Sequence, residues 1–488
     1  MALRTLLSVL LLLLPSAISA ASVSSSPAQT ITGIGGSGAW WPHDLFQFPE
    51  SVRQNLSNLL FSQEGMGLSS YRWNIGAGGV NVNNPVRAPE TFYLGPGVYN
   101  WSADPQGVYF LREASKRGVK DLTAFVNSAP APLTSGKTSC GSSFVSGSGD
   151  AFATFVVDVI EHFRSEGINI NYVSPMNEPE NPFPECGQEG MLVLPNQRPE
   201  VINSLWNALD KKGLTATVGI LADETSRLAL AVLEYPFWLG GVIDKLAAIS
   251  HHTYDYPSDG GYTAYITFMK TFYSSKPTWM TEVCCSLGNP DGSGRGMTAG
   301  YDPTITNALL YAGFVFQAFV VGGEPHYDFW TLVSNQMGCS PLNNASCVQN
   351  PNTSGWTDGV IYYDDEYATN GNHELYLTKH FWTYKHFGNF VKPGSQRLPI
   401  TGDGSNNFMM AVQTSTKIFV LAMNPSNDAR TLSLTFPQAA CGVASYRTSA
   451  SEDFATLGPA TSNGGGNTWA LPLNGLSLTT YEFNRGAC

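Results

Sequence analysis

Charge is scarce in this chain of 488 residues: Asp, Glu, Lys and Arg make up 13%, and 26 basic residues face 38 acidic ones for a net charge of −12. Phosphate binding needs a basic surface, so this balance excludes nucleic acid as an expected partner. Long apolar runs are also missing. A bilayer span needs about 20 apolar residues, whereas the run from Leu6 to Leu14 stops at Pro15. With Arg4 ahead of it and Ala17, Ser19, Ala20 and Ala21 behind, residues 1–20 read as an export signal rather than an anchor. The later apolar stretch Ala308 to Val321 carries Tyr311 and Gln317 and suits a buried helix. Internal repeats, coiled-coil heptads and blocks of like charge are absent, which excludes solenoids and charged tails. The expectation is a secreted, monomeric protein with no membrane partner.

Cysteine is sparse but even in number: 140, 186, 284, 285, 339, 347, 441 and 488. In an exported chain an even set favours disulfides over metal ligation, although spacing does not give connectivity. Cys339 with Cys347 and Cys441 with Cys488 are candidate pairs. Adjacent cysteines rarely meet disulfide geometry, so Cys284 and Cys285 are expected to have separate partners. Acceptor sequons at Asn55, Asn100, Asn344 and Asn352 fit the same export route. Abundant aromatics, 12% of residues, suit a neutral polyhydroxylated ligand whose ring faces stack on Trp and Tyr.

From Thr30 to about Lys392 short β-rich runs alternate with helix-period stretches, which predicts βα units around a parallel sheet. Eight strands are expected: Ile31 to Gly35, Leu68 to Asn74, Asp121 to Asn127, Ile170 to Pro175, Thr215 to Leu221, Ala247 to Tyr254, Thr278 to Val283 and Tyr327 to Val333. Eight such units describe a (β/α)8 TIM barrel, whose active sites lie at the C-terminal ends of the strands. One crossover helix is predicted over Asp150 to Glu166, with Asp150 as its N-cap and Gly167 as its stop. After Lys392 alternating runs (Phe408 to Gln413, Lys417 to Met423, Thr431 to Phe436, Leu476 to Phe483) predict an antiparallel β-sandwich. The domain reading is therefore signal 1–20, barrel 21–392 and sandwich 393–488, with the segment before the barrel available to the sandwich.

Two glutamates carry the chemical signal. Glu178, in Ser174-Pro175-Met176-Asn177-Glu178-Pro179, follows the fourth expected strand, and Glu282, in Met280-Thr281-Glu282-Val283, ends the seventh. Hydrolysis of a glycosidic bond with retention needs two carboxyls roughly 5 Å apart. Asn-Glu-Pro alone also fits a helix start; the strand before it and the second strand-end Glu favour the catalytic reading. Arg72, ending the second strand, is placed to reach a carboxylate from inside the barrel. His251 and His252 suggest a metal, but a zinc site needs three or four convergent ligands and no third stands out. Hydrogen bonding to sugar and nucleophile is the expected use of His252. Trp330 is expected as a stacking floor rather than plain core.

In chain order, Gly33-Ile34-Gly35-Gly36-Ser37-Gly38, Arg72, Ser174 to Pro179, His252 to Asp255, Thr281-Glu282 and Phe329-Trp330-Thr331-Leu332 resemble the strand ends of glycoside hydrolase family 30. The resemblance spans barrel and sandwich. It implies Glu178 as general acid/base and Glu282 as nucleophile, with Arg72 and Tyr254 stabilising the nucleophile's charge and Asn177 bonding the sugar 2-hydroxyl. No cofactor or metal is implied. Residues 35–42 and 72–79 look most like the fungal endo-β-1,6-galactanases, which implies galactan or arabinogalactan side chains as substrate. Many members carry a Trp shortly after the third strand; Asn127 to Leu133 has none. The alternatives are a β-1,6-glucanase or another family 30 enzyme, glucosylceramidase-like or a xylanase, and a carbohydrate-binding protein without catalysis.

Overall fold

Parallel strands need long crossovers, and the computed structural model, which describes residues 19–403, 405–463 and 466–488, has a helix after each strand of a closed eight-stranded barrel. The strands are Gly33–Ser37, Ser70–Ile75, Asp121–Val126, Tyr172–Ser174, Gly219–Thr225, Leu246–His252, Thr278–Glu282 and His326–Phe329. Each pairs in parallel with its neighbours in chain order, and the eighth closes on the first through Tyr327 and Ile34. Ser70–Ile75 is buried throughout, as a strand with helices outside and packed side chains inside must be. Gly35 permits the first pairing: a Cβ there would lie 2.0 Å from the Ser70 carbonyl oxygen.

The expected strands are all present, with one consequential shift. The fifth runs over Gly219–Thr225 and not from Thr215, because Leu214 and Thr217 still belong to the turn leaving helix Arg198–Lys211. Its C-terminal end is thus Asp223-Glu224-Thr225, inside the barrel mouth. The third crossover helix spans Gly149–Ser165. Its N-cap is Ser148 rather than Asp150, whose carboxylate instead accepts from Ser204 Oγ at 2.6 Å. Glu200 satisfies the helix start by accepting from the N–H of Gly149 at 3.0 Å. Gly167 does end the helix, at φ 88°. Helix Ile305–Phe316, continued as a π-helical turn to Gly322, is long and apolar enough to cross a membrane, but 78% of it is buried.

The last crossover helix, Lys379–Phe390, leads into two further sheets of five and seven strands with a separate apolar core between them. Ser19–Val23 lies between Ile400–Gly402 and Arg430–Thr435 in the first, and Gln29–Thr30 edges the second. Residues 1–18 of the expected export signal lie outside the described residues; Ser19 and Ala20 are in that first strand. Cysteines 339 and 347, and 441 and 488, are bonded as pairs, and Cys140 joins Cys186. Cys284 and Cys285 are bonded to each other, contrary to the expectation of separate partners. Both are buried, and the other six cysteines are bonded among themselves.

Candidate active site

The C-terminal ends of the strands surround a cleft of about 370 Å³. Barrel strands four and seven deliver Glu178 and Glu282 to it, and their nearest carboxylate oxygens lie within 4.8 Å of each other. Glu178 stands just past its strand at φ 44°, its N–H donating to the Glu224 carbonyl at 3.0 Å. Trp40, Glu224 and Cys285 also carry positive φ, at 74°, 62° and 67°. Such backbone costs about 1–3 kcal/mol per residue and gathers at functional sites. Here these four lie at the ends of different strands around one opening.

Arg72 is fully buried on the second strand. Its Nη1 donates to Glu282 Oε2 at 3.0 Å, and its Nη2 lies 3.5 Å from Asn177 Oδ1 and 3.6 Å from Glu224 Oε1. The guanidinium rests over the Phe125 ring, 4.4 Å from its centre. Tyr254 Oη donates to the other oxygen of Glu282 at 2.8 Å. Burial raises the Glu282 carboxyl above its ordinary value, opposed by the charges of His252 and Arg72. Two donors, one on each oxygen, favour the ionised form. Because Arg72 occupies the Asn177 carbonyl oxygen, the Asn177 amide nitrogen is free to face the cleft.

His252 sits among three carboxyl groups. Its Nδ1 is 3.2 Å from Glu178 Oε1 and 3.6 Å from Glu282 Oε1, and its Nε2 is 3.2 Å from Glu224 Oε2, off the line of a hydrogen bond. Burial alone would lower its pKa; Glu282, Glu178 and Glu224 together outweigh that and raise it to about 10. The ring is therefore an imidazolium at neutral pH, donating to Glu178. Burial would raise Glu224 as well, but Arg72 and then His252, with a hydroxyl bond from Thr281, bring it down to about 2. Two fixed cations and three carboxyls thus share one buried space.

Glu178, His252 and Glu282 are also close enough together to suggest a metal site. The three are already engaged by other partners: Arg72 and Tyr254 hold the two oxygens of Glu282, and His252 Nδ1 bonds Glu178. Trp330 lies one residue past the eighth strand, not on it, and meets Trp40 edge to face at 4.8 Å. With Trp356, Tyr254 and the bonded pair Cys284–Cys285 they form one apolar cluster beside the carboxyls. Among the loops between strands, residues 75–104 supply Arg87 to the cleft and residues 335–360 supply Gln336, Trp356 and Asp358.

Of the residues singled out from the sequence, Arg72, Asn177, Glu178, His252, Tyr254, Glu282 and Trp330 are at this opening, whereas His251 is buried against Glu324 at 2.6 Å. Sequence reasoning missed Glu224, because the fifth strand was placed four residues early. It also missed Trp40, Trp356 and Asp358, which stand in loops without periodicity. For Glu224 a signal existed: Asp223-Glu224-Thr225 is an acidic strand end of the same kind as Thr281-Glu282.

A barrel presenting two buried acidic side chains from strands four and seven places the chain in a class whose sequence and fold can be compared. Residues 19–229 match the family model of O-glycosyl hydrolase family 30. Among solved structures, a conserved exported protein from Bacteroides fragilis is 19% identical with a TM-score of 0.77, covering 95% of this chain and 100% of that one. The catalytic domain of GH30 xylanase C from Talaromyces cellulolyticus is 22% identical with a TM-score of 0.71, covering 95% and 99%. An endo-β1,6-glucanase is 16% identical with a TM-score of 0.68, covering 96% and 94%. At these identities the shared property is the fold, barrel and strand-rich C-terminal region together.

Proposed function

We propose that the protein is a secreted retaining glycoside hydrolase of family 30, an endo-β-1,6-galactanase acting on galactan or arabinogalactan side chains. The observation that carries the reaction class is the separation of the two carboxylates, within 4.8 Å, since retaining pairs stand about 5 Å apart and inverting pairs about 6.5–9.5 Å. Glu282 attacks the anomeric carbon while Glu178 protonates the departing O6. Water, deprotonated by Glu178, then releases the sugar from the ester with its configuration retained. Arg72 and Tyr254 hold the attacking oxygens in place before the step and take up the charge that returns after it. The His252 N–H on Glu178 Oε1 leaves Oε2 as the oxygen that carries the transferred proton. Asn177 bonds the sugar 2-hydroxyl, and Trp330 stacks on the ring.

The galactan specificity rests on the likeness of residues 35–42 and 72–79 to galactanases. The second reading, a β-1,6-glucanase, is supported by the fold shared with such an enzyme; a xylanase shares it too. Parallel digestion of arabinogalactan side chains, linear β-1,6-glucan and xylan separates them. A ladder of β-1,6-galacto-oligosaccharides from the first alone is expected; gentio-oligosaccharides from the second would overturn the substrate, and silence on all three the enzyme. Glu282→Gln is expected to lose turnover by at least about a thousandfold with folding intact. Glu178→Ala is expected to be partly rescued by azide, and near-normal activity in either variant would refute the assignment.

A further inference from the structure

Cys284 and Cys285 follow the nucleophile position by two and three residues and line the same cleft as both carboxylates. A bond between neighbours closes no loop worth the name, so it restrains the unfolded chain far less than the bonds spanning 46, 8 and 47 positions elsewhere. Its use as a stability staple is therefore weak, and its position asks for another. The polar groups around the pair are already taken. Tyr256 Oη donates to the Cys284 carbonyl, the Cys285 N–H donates to the Thr357 carbonyl at 3.1 Å, and the Cys285 carbonyl accepts from Thr298 N at 2.8 Å. The side-chain unit of the pair, CH2–S–S–CH2, is polarisable and without a donor. It packs in one cluster with Trp40, Trp330, Trp356 and Tyr254.

A pyranose ring has an apolar C–H face and a rim of hydroxyls. The cleft lining holds both kinds of surface, with Asn177 and the two carboxylates for the hydroxyls and these sulfur and aromatic groups for the apolar face. We propose that the Cys284–Cys285 disulfide is a sugar-contacting surface that sets affinity for the glycan, and that opening it weakens glycan binding. The proposal rests on the glycosidase reading above. Opening by dithiothreitol moves two electrons and two protons onto the sulfurs: the S–S bond breaks, two thiols form, and the reagent closes to its own cyclic disulfide. The freed side chains rotate, and the flat apolar surface is replaced by two S–H groups.

The test is a steady-state comparison of the wild type and Cys284→Ala/Cys285→Gly on whichever of the three polymers the wild type digests. Glycine at 285 accepts the φ of 67° without strain, which protects folding. KM is expected to rise about five- to tenfold while kcat changes less than about twofold. Dithiothreitol is expected to move the wild type in the same direction and to leave KM of the double variant where it was, which separates this bond from the other three. Unchanged KM in the variant, or a fall in kcat with a lowered melting temperature at constant KM, would overturn the proposal and leave the glycosidase reading standing. No turnover of any polymer by the wild type would overturn both.

Discussion

Replacing Glu224 with glutamine removes one negative charge from the buried group of Arg72, His252 and three carboxyls and keeps an oxygen to accept from Thr281. Glu224 is fully buried with a pKa of about 2 against an ordinary 4.5. A difference of that size corresponds to about 3 kcal/mol of stability near neutral pH. Because the folded value is the lower one, this stability is present above pH 4.5 and is lost as pH falls through about 2. The variant is thus expected to be less stable in urea at pH 6.5 by about 3 kcal/mol, and at pH 3 by only about 1.5 kcal/mol. Activity gives an independent reading. Glu224 and Glu178 face opposite nitrogens of His252, each 3.2 Å from the ring, so each feels the other's charge across one imidazole. Losing one anion leaves surplus positive charge, which favours release of the proton the reaction needs. The basic limb of kcat/KM against pH is expected to move to lower pH. An equal stability loss at both pH values, or a basic limb that stays put or moves up, would refute the charge balance.

Other outcomes follow from the same structure. Arg198, fully buried with Nη1 donating to Asp223 Oδ2 at 2.6 Å, is expected on change to alanine to cost about 3–5 kcal/mol in chemical denaturation, since Asp223 stays buried without its cation; a loss under about 1 kcal/mol would contradict this. Burial lowers His380 and His386 to about 3 from an ordinary 6.5. The unfolded chain takes up these protons first, so stability is whole above pH 6.5 and declines from there toward pH 3, a slope that His386→Gln should flatten in urea titrations at stepped pH. Peptide mapping of protein secreted from a eukaryotic host is expected to find glycans on exposed Asn55, Asn100 and Asn344. Asn352 should be bare, since its amide nitrogen, the atom that would carry the glycan, already donates to the Met337 carbonyl; a glycan there would count against that contact.

The barrel was legible because its strands are buried on both faces and its helices on one, which writes two different periods into the chain. The place of Glu178 and Glu282 at the mouth was legible for a related reason: a charged residue at the end of an apolar strand has no place in a core and points to the opening. Glu224 obeys the same rule yet escaped, since Thr215-Ala216-Thr217-Val218 looks as β-like as the strand it precedes. The Cys284–Cys285 bond escaped for an opposite reason. General disulfide geometry argues against neighbours pairing, and only the buried surroundings, with every other cysteine already bonded, leave them each other. Loop residues such as Trp40 and Asp358 converge from 318 positions apart by tertiary packing alone (358 − 40).

Ser19–Val23 and Gln29–Thr30 lie in sheets otherwise made from residues after 395. A ribosome emits those first strands long before their partners exist. They must wait, unpaired, through synthesis of the whole barrel, and the sandwich can close only when the far end of the chain arrives. A fragment beginning at residue 393 would lack a strand from inside one sheet and one from the edge of the other, leaving backbone open to pairing with other chains. Truncation at either end therefore damages the same body, and the barrel between them is held like a bead on a closed loop.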